Sequence, residues 1–351
     1  MMVTVRSFLL ATTLLFPALG RSQTLAQQNQ PPEKATAPQT PAVHDETEIP
    51  LEAKEPEPSG PAIPEVKIPN YAACRLAELQ HAVPELAHLK PAADQSPLTA
   101  LLDKIGGKML DIVRKTPNLI SDESVVSDQS GIKTRQNYSF LVVRHETVNG
   151  TIFDEFRVDP ATGKKFETDE AAAGSTPGST ALELPSVRAS DLNSSGAPAS
   201  QGFASEWLHF YSYNRGQGDF RYLGEQDMDG HPTQVVAFAE KPARVKVPAT
   251  ISYGERTFNL YRQGVAWVDS SDYRIVRLRS DILAAPHGVP LRQLTADIQF
   301  TQVVIAQFAD PLWLPHQVTV TANLAGSVTH ETHVYTKHRL FHAQSKILLN
   351  P

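Results

Sequence analysis

The sequence predicts an α+β fold: a curved antiparallel β-sheet, a half-barrel-like meander, covered on one face by helices. Three observations predict it. From Asp219 to Phe341 strand-like segments follow one another with no helical pattern between them, and strands joined directly pair antiparallel with their neighbours. Asn149-Gly150 and Asp229-Gly230 separate strand-like runs, and these dipeptides supply the positive φ values of two-residue hairpins. Ahead of the strands lies an amphipathic helix whose apolar stripe needs a sheet to bury it.

The chain opens on MMVTVRSFLLATTLLFPALGRSQ, with a positive charge at Arg6, an apolar core from Phe8 to Leu19 and small residues after it. That order is the pattern of a signal peptide over residues 1–20, and the core is shorter than the roughly 20 residues of a membrane span. No spanning segment is therefore expected after signal cleavage, and the expected location is periplasmic or secreted. Residues 21–70 are rich in Pro, with four basic and eight acidic residues leaving them at −4 of the chain's formal −6. This composition predicts a disordered, extended linker. Cys74 is the only cysteine, so no intrachain disulfide forms and stability must come from a core, which a domain over 71–351 is long enough to bury.

Order is expected from Tyr71. ACRLAELQHAVPEL has helical spacing up to Pro84. In SPLTALLDKIGGKMLDIVRK, Ser96 is placed to cap, Pro97 to start the helix, and Leu98, Leu101, Leu102, Ile105, Met109, Ile112 and Val113 to share one face. NYSFLVVRHE and TIFDEFRVD read as paired strands, and the Gly-, Ser-, Ala- and Pro-rich stretch 160–202 as a mobile insertion. FASEWLHFYSY spaces Phe203, Trp207, Phe210 and Tyr211 as on a short helix packed against the sheet or closing over a groove. LTADIQFTQ and LWLPHQVTVTANL alternate apolar and polar residues, as strands with one buried face do.

The stretch GVAWVDSSDYRIVRLRSDIL reads as strand, tight turn, strand. Asp269 and Asp272 are expected to close the turn through side-chain to backbone hydrogen bonds. Simple alternation would put Tyr273, Ile275, Arg277 and Arg279 on one face and Val276 and Leu278 on the other. From Lys241 to Arg292 nine basic residues face four acidic ones, a local +5 able to attract an anionic envelope component or to be a solvated outer face.

From Phe220 to Phe341 the chain resembles the C-terminal part of a family of exported acidobacterial proteins, through FRYLGEQDMDGHPTQVVAFAEKP, GVAWVDSSDYRIVRLRSDIL and ADPLWLPHQVTVT. In the order of these pieces it is more distantly similar to the periplasmic lipoprotein-sorting superfamily. That resemblance implies a curved antiparallel sheet closed on one side by helices and able to hold acyl chains. It carries over no site residue, and the Pro-rich tail and the 160–202 insertion have no counterpart in the compact sorting factors.

The sequence contains no nucleophile elbow, zinc-protease, phosphate-loop or dinucleotide motif. Ser130 and Lys133 match a Ser-x-x-Lys spacing but fall in a polar turn, where a helical turn is needed. In HETH, His330 and His333 point to opposite faces of a strand and cannot share a metal. Neither an enzyme nor a cofactor is expected, and export with net negative charge argues against nucleic acid. The expected function is binding of a lipid or amphiphile in the concavity of the sheet. Trp267, Tyr273, Arg277 and Arg279 are the expected contacts, and Trp207 and Phe210 the lid. A lipid, a lipoprotein or an anionic envelope component is the expected partner, with peripheral membrane contact. A structural or interaction module of the cell envelope with a filled core is the alternative, and a hydrolase with scattered site residues the third reading.

Overall fold

A computed structural model describes residues 68–147, 150–161, 165–166, 203–212, 214–245, 248–253, 256–306, 308 and 310–340. The signal peptide, the linker before residue 68, the 148–149 turn and nearly all of the expected insertion lie outside the described residues. In chain order the elements are α1 (Leu76–Ala82), β1 (Lys90–Pro91), α2 (Leu98–Lys115), β2 (Leu119–Gln129), β3 (Ile132–Thr147), β4 (Gly150–Val158), β5 (Lys165–Phe166), β6 (Gly218–Met228) and β7 (His231–Glu240). Then follow β8 (Ala249–Tyr253), β9 (Arg256–Leu260), β10 (Arg262–Asp269), β11 (Ile275–Ile282), β12 (Leu291–Val303), β13 (Leu312–Leu324) and β14 (Ser327–Leu340). Phe203–Phe210 forms a 3-10 helix, not the α-helical turn its aromatic spacing suggested.

The sheet is the curved antiparallel one the sequence predicts. Among the described residues its twelve strands run in the order β1-β6-β7-β10-β11-β12-β13-β14-β2-β3-β4-β5. The order is not a simple meander: β14, late in the chain, pairs with β2, so the early strands join the sheet through a closure spanning some 200 residues of sequence. β8 and β9 form a separate two-stranded sheet.

Two helical layers flank the sheet. On its inner face Leu101, Ile105, Met109 and Val113 of α2 meet Val236, Phe238, Ala266, Leu278, Ile298 and Val318, with Trp207 and Phe210 in the same core. On its outer face Leu79, Val83 and Leu86 meet Val235, Ala237, Val265 and Trp267. Alternation along β7 and β10 thus feeds two cores at once, which is why Val235–Ala239 and Val265–Val268 are apolar at every position. Gly264 sits where two strands converge: a Cβ there would lie 2.1 Å from the Arg279 carbonyl oxygen and 2.6 Å from the Phe238 ring.

The hairpin turns use the residues the sequence marked. Asp229 and Gly230 take φ values of 54° and 84°, and the Asp227 carboxylate accepts from the Gly230 N–H at 2.7 Å. Ser130 and Gly131 repeat that geometry, so the Ser-x-x-Lys match is a β-turn and Lys133 pairs with Asp128. α2 starts one residue later than expected, and Ser96 makes no cap; its own N–H donates to Asp94.

Candidate functional site

The hairpin 264–283 folds as expected at its turn and not at its faces. Asp269 Oδ1 accepts from the Ser271 and Asp272 N–H groups, and Tyr273 closes the loop at a φ of 64°. The pairing then slips: Trp267 opposes Arg277, but Val268 opposes Ile275, leaving Val276 as the extra residue of a β-bulge. A bulge puts two successive side chains on one side and reverses the alternation beyond it. Ile275 consequently joins Leu278 in the inner core, while Val276 packs in the outer one.

Arg277 and Arg279 therefore belong to the outer face, where acids meet them. Arg277 donates through Nε to Asp297 at 3.0 Å and through its terminal nitrogen at 2.5 Å, and stacks over Trp267 at 5.1 Å. Arg279 donates to both Glu85 oxygens at 2.9 and 3.0 Å and to Asp281 at 2.9 Å. The Tyr71 hydroxyl donates to Asp281 at 3.0 Å; burial and that carboxylate push the Tyr71 pKa well above its usual value. Trp267 is wholly buried and donates to Gln226 at 3.2 Å. These contacts bind α1 and the following turn to the sheet. The expected ligand contacts Trp267, Arg277 and Arg279 are thus engaged by the protein itself, away from the inner face. Arg262 likewise pairs with the buried Glu206, and Arg274 with Asp272, so much of the local positive charge is neutralised internally.

Tyr273 stays on the inner side, where Lys104 of α2 donates to its hydroxyl at 2.7 Å. Phe210 lies beneath the surface, edge-on to Phe220 and Phe238. Of the six expected residues only Trp207 reaches the inner-face cavity.

That cavity is the candidate site. Its atom-free space is about 540 Å³, counting the open mouth. The wall comes from Leu119 and Ser121 on β2, Phe140 and Val142 on β3, and Phe153 on β4. Trp313, Leu314 and Pro315 on β13, with Tyr335 and His338 on β14, form the other side, and Thr116 and Trp207 close it from the helical layer. Trp313 gives its indole N–H to the Ile275 carbonyl at 2.8 Å, and the Thr116 hydroxyl donates to Ile112 at 2.8 Å. The Trp207 N–H is buried and makes no hydrogen bond, and the Tyr335 hydroxyl is buried beside the Glu123 carboxylate. Burial, and His316 nearby, lower the His338 pKa, so its imidazole is neutral at neutral pH.

Beside the cavity along the same strands lies a buried ionic cluster. Arg157 donates to the two Glu123 oxygens at 2.6 and 2.7 Å, and His333 Nδ1 stands 2.8 Å from Glu123 with Nε2 3.4 Å from Glu331. Burial alone would raise the Glu123 carboxyl; Arg157 and the His333 hydrogen bond outweigh it and hold it at about 2. Burial would lower the His333 pKa, and the two glutamates raise it instead. His330 is exposed and His333 wholly buried, the opposite faces that their spacing on a strand predicts. Phe140 and Tyr335 join cluster and cavity, their ring centroids 5.0 Å apart. Among the described residues no group of three or more His, Cys, Asp or Glu side chains is placed to hold a metal ion.

No family model matches the chain, and neither does any curated protein. Among solved structures it is similar to a domain from Vibrio parahaemolyticus named for outer membrane lipoprotein sorting, at 12% identity and a TM-score of 0.36, covering 70% of this chain and 94% of that one. A DUF1329 family protein from Desulfovibrio piger gives 11% identity, a TM-score of 0.36 and coverage of 71% and 95%. A LolA superfamily protein from Nitrosomonas europaea gives 10% identity, a TM-score of 0.32 and coverage of 70% and 94%.

Proposed function

We propose that the protein is an exported, non-catalytic binder of a lipid or other amphiphile whose apolar part enters the inner-face cavity. One observation carries this reading: an open cavity on the inner face is walled by Leu119, Phe140, Val142, Phe153, Trp207 and Leu314, the mainly apolar lining that small-molecule sites share. Apolar chain transferred there leaves water at about 25 cal/mol per Å². The leader-like residues 1–20 support a periplasmic or secreted location, where a lipid, a lipoprotein or an anionic envelope component is the partner within reach.

The reading is tested by extracting the protein without denaturant and weighing it by native mass spectrometry. Bound lipid is expected on the unmodified chain and not on Val142→Trp, which fills the cavity from β3. A chain that carries no lipid and takes none up from vesicles would overturn the proposal in favour of an envelope interaction module with a filled core.

A further inference from the structure

This inference rests on the lipid-binding reading of the inner-face cavity and names the surface from which the lipid enters. We infer that the rim of the cavity mouth is a docking surface for an anionic lipid bilayer, with Val304 as the apolar tip that enters the bilayer and the cations around it as the electrostatic hold.

The lining locates the mouth. Trp313 and His338 are half-buried and the other lining residues are buried, so the opening lies at these two. Both stand near strand ends, Trp313 at the start of β13 and His338 at the end of β14. The pairing of β14 slips between Thr336 and Arg339, and Lys337 takes a φ of 51°. Without that bulge, alternation from Tyr335 would aim Lys337 into the cavity. With it, His338 lines the mouth, and the Lys337 and Arg339 side chains stand 74% and 51% exposed.

The loop from β12 to β13 borders this opening. Ile305 and Phe308 pack it on the inner core, and Asp310 pairs at 3.1 Å with Lys115, the residue before the lining Thr116. Between the end of β12 and these anchors Val304 is 76% exposed, the most exposed large hydrophobic side chain among the described residues. One apolar side chain in water is ordinary; its company assigns it a role. α2 ends in Arg114 and Lys115, and Arg144 donates to the Val113, Arg114 and Thr116 carbonyls at that helix end. Arg274 stands 4.4 Å from the centre of the Trp313 ring. With Lys337 and Arg339 these make six cations, against the three acids Asp122, Asp272 and Asp310 that pair among them. Lys108 and Asp111, a turn back on α2, cancel. The whole chain carries −6, so positive charge is gathered where the cavity opens. An apolar tip among cations, with an indole at the rim, suits the interface of an anionic bilayer. There the valine leaves water, and each Lys or Arg near the surface adds attraction.

The test is flotation of the exported chain, without the leader-like residues 1–20, on vesicles of phosphatidylcholine alone or with about 30% phosphatidylglycerol. Binding should be at least about tenfold tighter to the anionic vesicles, and should weaken at least about tenfold from about 0.1 to about 0.5 M NaCl. Val304→Asp should lose about tenfold of that binding, and so should the double variant Lys337→Gln/Arg339→Gln, which removes two charges without adding an acid beside Asp122. Ile132→Asp is the control: 71% exposed, it lies at the β2–β3 turn, the far end of a strand whose start pairs with the end of β14. It should bind as the unmodified chain does. No binding, equal binding to neutral and anionic vesicles, rim variants that bind undiminished, or an equal loss in Ile132→Asp would each overturn the inference. Uptake of diphenylhexatriene in the absence of vesicles reads the cavity separately and should stay within about twofold in every variant, since the substitutions lie outside its wall. A chain that floats as expected yet takes up no diphenylhexatriene would remove the lipid cavity and keep the docking surface. A chain that takes it up yet does not float would do the reverse.

Discussion

His333 and Glu123 sit fully buried against each other, and together they set a pH window for stability. The folded His333 pKa lies above its ordinary 6.5, so its contribution is complete below that value and is lost as pH rises through the folded pKa. The folded Glu123 pKa is about 2 against an ordinary 4.5, so its contribution is complete above 4.5 and is lost as pH falls toward 2. As far as this pair decides it, stability to urea should peak between 4.5 and 6.5. His333→Asn should remove the alkaline decline and leave the acidic one; a variant with both declines would refute the assignment. Glu123→Gln strips Arg157 of the carboxylate that holds it in the interior. It should cost about 3–5 kcal/mol, as breaking a buried pair from one side does, read from the shift in the urea midpoint. The cluster was hidden in the sequence for a physical reason. LISDESVVSDQ puts Leu119, Ser121, Glu123 and Val125 on its buried face, and an arginine from β4 with a histidine from β14 makes a glutamate tolerable there.

At the scale of elements, the sequence is legible where one face is apolar and the other polar, and illegible where pairing changes register. β12 and β13 stand where their alternation put them, and the hairpin at Asp229-Gly230 has its expected turn. β2 was not apparent because its buried positions are partly polar. The faces of β11 were assigned by simple alternation, which the Val276 bulge reverses after Ile275; nothing local in DYRIVRLRS marks the extra residue. The consequence is concrete: the arginines that read as a ligand patch bind the α1 layer. Glu85 serves both Arg277 and Arg279 while three-quarters buried. Glu85→Ala should therefore destabilise the protein by about 1–3 kcal/mol, and amide exchange should rise first over residues 71–89. Uniform exchange across the inner-face strands instead would show that the ion pairs do not fasten this layer. Gly264→Ala tests the neighbouring strand crossing. Its methyl group would strike the Arg279 carbonyl and the Phe238 ring, so a loss of about 3 kcal/mol is expected. Unchanged thermal stability would mean that β10 and β11 can part there without cost.

The candidate site is a property of the whole molecule. Its walls come from Thr116 just past α2, the 203–210 turn, and strands β2, β3, β4, β13 and β14, elements brought together by the pairing of β14 with β2 across about 200 residues. No segment of sequence could have announced it, since each strand contributes at most three apolar residues that look like ordinary core. For the same reason the cavity cannot survive unfolding, and any ligand it holds must be released when the sheet opens. A ligand that binds only the folded state stabilises it by RT ln(1 + [L]/Kd), about 2.7 kcal/mol at a concentration one hundred times Kd. For a domain of this size each kcal/mol moves the melting temperature by about 2–4 °C. Saturating methyl ester of a long-chain fatty acid should thus raise Tm by about 5–10 °C, with the shift growing logarithmically with concentration. Val142→Trp, with its cavity filled, should show no shift while keeping the far-ultraviolet signature of the sheet. An equal shift in that variant would place the lipid elsewhere on the molecule, and an absent shift in the unmodified chain would leave the inner face without a ligand.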